Sequence, residues 1–167
     1  MATVASVPLD VYLRSSFDPD AEYVDGEIQE RPVREYDHAA WQEALLIFFR
    51  QHNREWNIRV KAGLRVQVAP TRFRVADVVV IDRDRPIEQI VTQPPIAVFE
   101  ILSPDDVMAR MLVKLSDYEQ MGIAGIFLVD PKGGKYRYQG GSLTTLSGPT
   151  ACGPLTVDFQ MIESLLD

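Results

Sequence analysis

Two stretches of the chain read as buried β-strands, and each carries one acid where an apolar side chain is expected. They are Val75-Ala76-Asp77-Val78-Val79-Val80-Ile81 and Ile96-Ala97-Val98-Phe99-Glu100-Ile101-Leu102. An ionised carboxylate taken out of water is costly unless a cation, a metal or a set of hydrogen bonds meets it. Two such acids in consecutive strands invite one shared explanation. A divalent metal ion is the sharpest, and an ion pair with Lys114 or an arginine is the plain alternative.

The flanking pattern says what kind of sheet holds them. Ile58, Val60, Ala62, Leu64, Val66 and Val68 alternate with Arg59, Lys61, Gly63, Arg65 and Gln67, which predicts a long half-buried strand with a basic outer face. Pro70-Thr71 turns it into the strand Phe73 to Ile81, and Pro94-Pro95 introduces the strand Ile96 to Leu102. Upstream, residues 38 to 53 have helical apolar spacing with Asp37 as N-cap; before that come a hairpin at Asp25-Gly26 and a short helix from Leu9 to Arg14. Downstream, Ser103-Pro104-Asp105-Asp106 ends a strand and caps a helix whose apolar positions run from Met108 to Met121, stopped by Gly122. A strand from Gly125 to Val129 follows, then a turn at Gly133-Gly134 into Lys135 to Tyr138. Edge strands are expected at Leu143 to Leu146 and Leu155 to Phe159. The core order is helix, three strands, helix, strand: an antiparallel meander and then a crossover, hence a mixed α/β (α+β) sheet flanked by helices, with an N-terminal hairpin and C-terminal β additions.

Length and composition narrow the function classes. A chain of 167 residues suits one domain, 1–167, with a real core. No apolar stretch reaches the roughly 18 to 20 residues of a membrane helix, and the N-terminus lacks the pattern of a secretory signal, so a cytoplasmic protein is expected. A single cysteine, Cys152, excludes an intramolecular disulfide and a cysteine-rich zinc site. The net charge of -7 counts against a high-affinity nucleic-acid binder. Its distribution is uneven: residues 50 to 74 hold seven bases and only Glu55. That segment is either a phosphate-facing surface or a solvated strand face.

From Tyr23 to Asp130 the chain resembles the Uma-two family of restriction-endonuclease-like proteins, within the PD-(D/E)xK nuclease superfamily. The likeness rests on Tyr23-Val24-Asp25-Gly26-Glu27-Ile28, His38, Arg74-Val75-Ala76-Asp77, Val98-Phe99-Glu100-Ile101-Leu102-Ser103-Pro104, Lys114-Leu115 with Tyr118 and Gly122, and Leu128-Val129-Asp130-Pro131. The resemblance implies a restriction-endonuclease-like core in which Asp77 and Glu100 hold Mg²⁺ (or Mn²⁺) and hydrolyse DNA phosphodiester bonds, in a homodimer if two strands are to be cut. It also implies Glu27 and His38 as secondary site residues. Ala76 stands where a proline usually precedes the Asp, and Leu102 where the superfamily's lysine is expected.

The resemblance moves that lysine to Lys114 on the following helix, whose stem can reach the carboxylates. Arg110 stands where the family often has an acid, and it is expected to bind phosphate. Arg59, Lys61, Arg65 and Arg74 complete the expected nucleic-acid contacts. A nuclease-fold module that binds nucleic acid or a protein without cutting is the second reading. A small-molecule hydrolase is a third, without a nucleophile elbow, a Walker loop or a dinucleotide fingerprint to support it.

Overall fold

The computed structural model describes residues 6–16, 20–31 and 33–167. The elements in chain order are α1 (Leu9–Arg14), β1 (Ala21–Val24), β2 (Glu27–Glu30), α2 (Tyr36–Gln51), β3 (Ile58–Ala69), β4 (Arg72–Asp82), β5 (Ala97–Ile101), α3 (Met108–Met121), β6 (Gly125–Val129), β7 (Lys135–Gln139), β8 (Ser142–Thr145), β9 (Thr150–Cys152), β10 (Leu155–Val157) and α4 (Phe159–Glu163). Met1 to Ala5, which carry most of the signal-peptide argument, and Asp18-Pro19 of the expected loop lie outside the described residues.

Eight strands form one mixed sheet in the order β2-β1-β4-β5-β6-β7-β8, with β3 pairing β4 along its other side. The meander β3-β4-β5 is antiparallel throughout, and α3 carries the chain across to β6, which pairs β5 in parallel. β9 and β10 form a separate two-stranded ribbon. The sheet is packed on both faces. One face sets Val78, Val80, Phe99 and Phe127 against Trp41, Leu45, Phe48 and Phe49 of α2 and Ile162 of α4. The other sets Val79, Val98, Ile126 and Leu128 against Met111, Leu115 and Tyr118 of α3. Two-sided packing is why β4, β5 and β6 read as continuous apolar runs.

The helix ends differ from expectation. α2 begins two residues earlier, with Glu35 rather than Asp37 at its N-cap, and Val107 rather than an acid precedes α3; neither makes a side-chain cap bond. Asp106 instead accepts from the Ser103 amide at 2.7 Å, closing the turn after β5. Gly122 ends α3 in the left-handed region, at φ 101°, as a stop glycine does.

Besides a register shift between Gln67 and Ala69 near the β3–β4 turn, regular pairing breaks at the level of Asp77. The β3–β4 register holds from Ile58↔Asp82 to Gln67↔Phe73 except at Gly63, which stands opposite Asp77 and has φ +65°. On β4, Ala76 and Val78 belong to opposite faces, so the side-chain alternation slips by one residue at Asp77. The β4–β5 ladder likewise ends at Val78↔Phe99. These interruptions open the space that the acids occupy.

Candidate active site

Asp77 takes over the backbone pairing that the sheet loses there. Its Oδ2 accepts the Ile101 amide at 2.8 Å, and Gln42 of α2 donates to its main-chain carbonyl at 2.8 Å. Its Oδ1 accepts from Arg31 and, at 2.9 Å, from Arg34. His38 Nε2 lies 3.2 Å from Oδ2, close enough for charge contact, yet neither ring nitrogen forms a well-angled hydrogen bond. The carboxyl is 1% exposed. Burial opposes its ionisation, but His38, Arg31 and Arg34 outweigh burial and hold it ionised far below the usual carboxylate range.

Glu100 continues the β4–β5 register opposite Asp77 and reaches the other way, towards α3. Its Oε1 lies 3.0 Å from Lys114 Nζ and accepts the Tyr118 hydroxyl at 2.7 Å. Oε2 has no hydrogen bond among the described residues. Burial pushes this carboxyl up to about 8, Lys114 pulling it down and Asp77 pushing it further up. The same burial, with the charge of Glu100, raises the Tyr118 hydroxyl well above its ordinary value.

Lys114 is 7% exposed and is spent within the fold: besides Glu100, its Nζ lies 2.9 Å from Glu22 Oε2 and donates to the Val75 carbonyl at 2.9 Å. The helical spacing that sets Lys114 on the stripe of Met111 and Tyr118 therefore delivers it to the carboxylates. Glu22, on β1, also accepts the Val75 amide at 2.8 Å. Burial raises its carboxyl, but Lys114 and Arg74 outweigh that and lower it.

A cleft of about 110 Å³ opens onto this group, lined by Glu22, Gln29, Arg31, Arg34, Glu100, Arg110 and Lys114 among others. Asp77 is not in its wall and sits behind the two arginines. The two acids are neighbours with separate ion-pair partners, Arg31, Arg34 and His38 for Asp77 and Lys114 for Glu100, although the charge of Arg31 acts on both.

Several expected site residues lie elsewhere. Glu27 is exposed beside the hairpin turn and does not line the cleft; two positions along β2, Gln29 faces it, paired with Glu22. Arg74 lines the cleft, buried and paired with Asp117 at 2.6 Å. Arg65 lies over the Tyr12 ring and donates to the Ser15 carbonyl. Arg59 and Lys61 stand on β3, across β4 from β5. Of the five expected contacts, Arg74 and Arg110 reach the cleft.

A family model described as "Uma2: Putative restriction endonuclease" matches residues 9–139. The chain belongs to the Uma2 family. A crystal structure from Anabaena variabilis, described as a putative nuclease belonging to DUF820, shares this Uma2 chain's fold with a TM-score of 0.80 and 21% identity, over 95% of this chain and 98% of that one. No curated protein sequence matches the chain. The central mixed sheet with flanking helices is therefore a nuclease-like α+β fold, and among the described residues no helix is long and apolar enough to cross a membrane.

The donor set agrees in kind with the metal such folds are associated with. Every ligand on offer is a hard oxygen, and Mg²⁺ needs only one or two carboxylates when it keeps several waters. Among the described residues no three His, Cys, Asp or Glu side chains gather around one point. Of the two acids, Glu100 lines the cleft and Asp77 lies behind Arg31 and Arg34.

Proposed function

We propose that this Uma2 protein is a Mg²⁺- or Mn²⁺-dependent endonuclease that hydrolyses DNA phosphodiester bonds at the Glu100–Lys114 cleft. The observation that carries the reading is the buried cluster Asp77, Glu100 and Lys114, assembled from two strands and a helix around a break in the sheet. A buried group of opposed charges is expensive to keep and concentrates at working sites. When bound, the divalent ion supplies the positive charge that a scissile phosphate and its leaving oxygen require.

The chain's own residues do the rest. Arg110 and Arg34 flank the opening and can pair with non-bridging phosphate oxygens, fixing the group in the cleft. Lys114, held by Glu22 and the Val75 carbonyl, keeps its ammonium beside Glu100 and fixes that carboxyl where an attacking water would be met. Glu100, with its raised affinity for a proton, can take one from that water. Tyr118 fixes the carboxyl's rotation through its 2.7 Å bond. Should two chains associate, their clefts would address two strands.

One observation favours a second reading, a nuclease-fold module that binds without cutting: both oxygens of Asp77 are already engaged by protein donors. Manganese binding separates the two. Titrating the protein with Mn²⁺ under electron paramagnetic resonance is expected to show one bound ion per chain, lost in Asp77→Asn and in Glu100→Gln. No bound ion at millimolar Mn²⁺ would leave only the binding module.

A further inference from the structure

A second charged cleft lies across β4 from the acids. Arg50 in the last turn of α2, Arg54 in the turn that follows it, Arg59 and Lys61 on β3, and Arg83 just after β4 line a space of about 150 Å³ together with Asn53. No acid lines it, and it shares no residue with the carboxylate cleft. Among the described residues none of the five cations is in an ion pair. In a chain of net charge -7, five unneutralised cations around one hollow stand out.

Two of the five are fixed in place without being neutralised. Arg59 donates to the Arg83 carbonyl at 2.7 Å, and Arg83 donates to the Ile58 carbonyl at 2.9 Å. Arg83 Nε is buried and has no acceptor. A neutral carbonyl orients a guanidinium and leaves its charge to act outward. The end of α2 explains Arg50, since a helix C-terminus favours a cation, but it does not explain Arg59, Lys61 or Arg83 on the strands.

We propose that this cleft binds the phosphodiester backbone of nucleic acid away from the scissile group. The inference rests on the nuclease reading for its choice of polyanion. Gly63 stands level with Asp77, so Lys61 lies about 7 Å and Arg59 about 13 Å further along β3 at the usual strand rise. Arginine, lysine and asparagine are the side chains that hold backbone phosphates without reading bases, so the contact fixes register and carries no sequence preference.

The test uses full-length protein in EDTA, where cutting cannot intervene, with fluorescent duplex and single-stranded oligonucleotides and a range of salt. The variant Arg54→Gln/Lys61→Gln changes two exposed side chains and is compared with Arg14→Gln/Lys132→Gln, which removes the same charge elsewhere. The expected result is affinity lower by about tenfold or more and a salt dependence shallower by about two counterions for the first variant only. Equal affinity and slope in all three proteins would overturn the proposal. So would displacement of the oligonucleotide by equimolar inorganic phosphate, which would mark a free-phosphate site. Salt-sensitive self-association without DNA binding would assign the cleft to a second copy's acidic surface, also against the proposal. Loss of binding in the first variant, in a protein that never cuts with Mg²⁺, would keep this cleft and discard the nuclease reading.

Discussion

Lys114 on α3 and Glu100 on β5 meet at 3.0 Å in a place almost closed to solvent, with Glu22 of β1 on the ammonium's other side at 2.9 Å. One cation thus serves two buried acids from two strands. Removing it leaves Glu100 without its ion pair and Glu22 with only Arg74, at 3.5 Å. Lys114→Met is expected to destabilise the fold by about 3 kcal/mol at pH 8, the usual scale for breaking a buried pair. In a chain this long that lowers the melting temperature by roughly 6 to 12 °C. Adding Glu22→Gln should restore part of the loss. Thermal unfolding of the single and double variants checks this, and additive losses would contradict it.

Stability should also report the proton on Glu100. Its folded value of about 8 lies above the ordinary 4.5, so between those values the folded chain binds a proton that the unfolded chain has released. The stabilisation from this group is fully present below about pH 4.5 and is lost as pH rises through about 8. Glu100→Gln keeps the shape and lacks the titration. Its melting temperature relative to the natural protein is therefore expected to climb from pH 5 to pH 9; a constant difference would mean that Glu100 is ionised throughout.

These two acids were legible in the sequence because each interrupts an apolar run, and an acid among buried neighbours advertises a partner. Lys114 was legible from helical spacing together with the family resemblance. Glu22 was not, because it lies in an acidic N-terminal stretch that reads as solvated. It is buried through the pairing of β1 with β4, where the amide of Val75, 53 residues away, meets it. Arg31 was hidden for the same reason. The partner of Arg74 was hidden too: alternation cannot say that Asp117 waits on α3 to pair with it. The register of β3 with β4 followed from strict alternation and a short turn, whereas β9 is three residues long and too short to show a period.

Arg34 is the more exposed of the two guanidiniums on Asp77, with 26% of its side chain open. Arg34→Gln leaves Arg31 and the Ile101 amide in place and removes one competitor for the carboxylate. Mn²⁺ should then bind up to about fivefold more tightly, since a partly exposed pair contributes up to about 1 kcal/mol. Calorimetry measures it directly. Weaker binding would show that Arg34 supports the site rather than competing for it.

Gly63 has a left-handed φ of +65° opposite Asp77, and a Cβ there would meet no atom within 4 Å. Backbone conformation, not space, is what requires glycine. Gly63→Ala should cost about 1 kcal/mol, read as a fall in the urea midpoint with an unchanged slope. An unaltered midpoint would mean that the break in the sheet at Asp77 does not depend on this residue.

Hydrolysis itself is the claim on which the account turns, and it is measured most directly by incubating supercoiled plasmid and linear and single-stranded DNA with purified protein and Mg²⁺ or Mn²⁺. The natural protein is expected to cut only when the metal is present, and Asp77→Ala, Glu100→Ala and Lys114→Ala, each folded by circular dichroism, are expected not to cut. Equal cleavage by all four proteins, or none by the natural one with either metal, would contradict it.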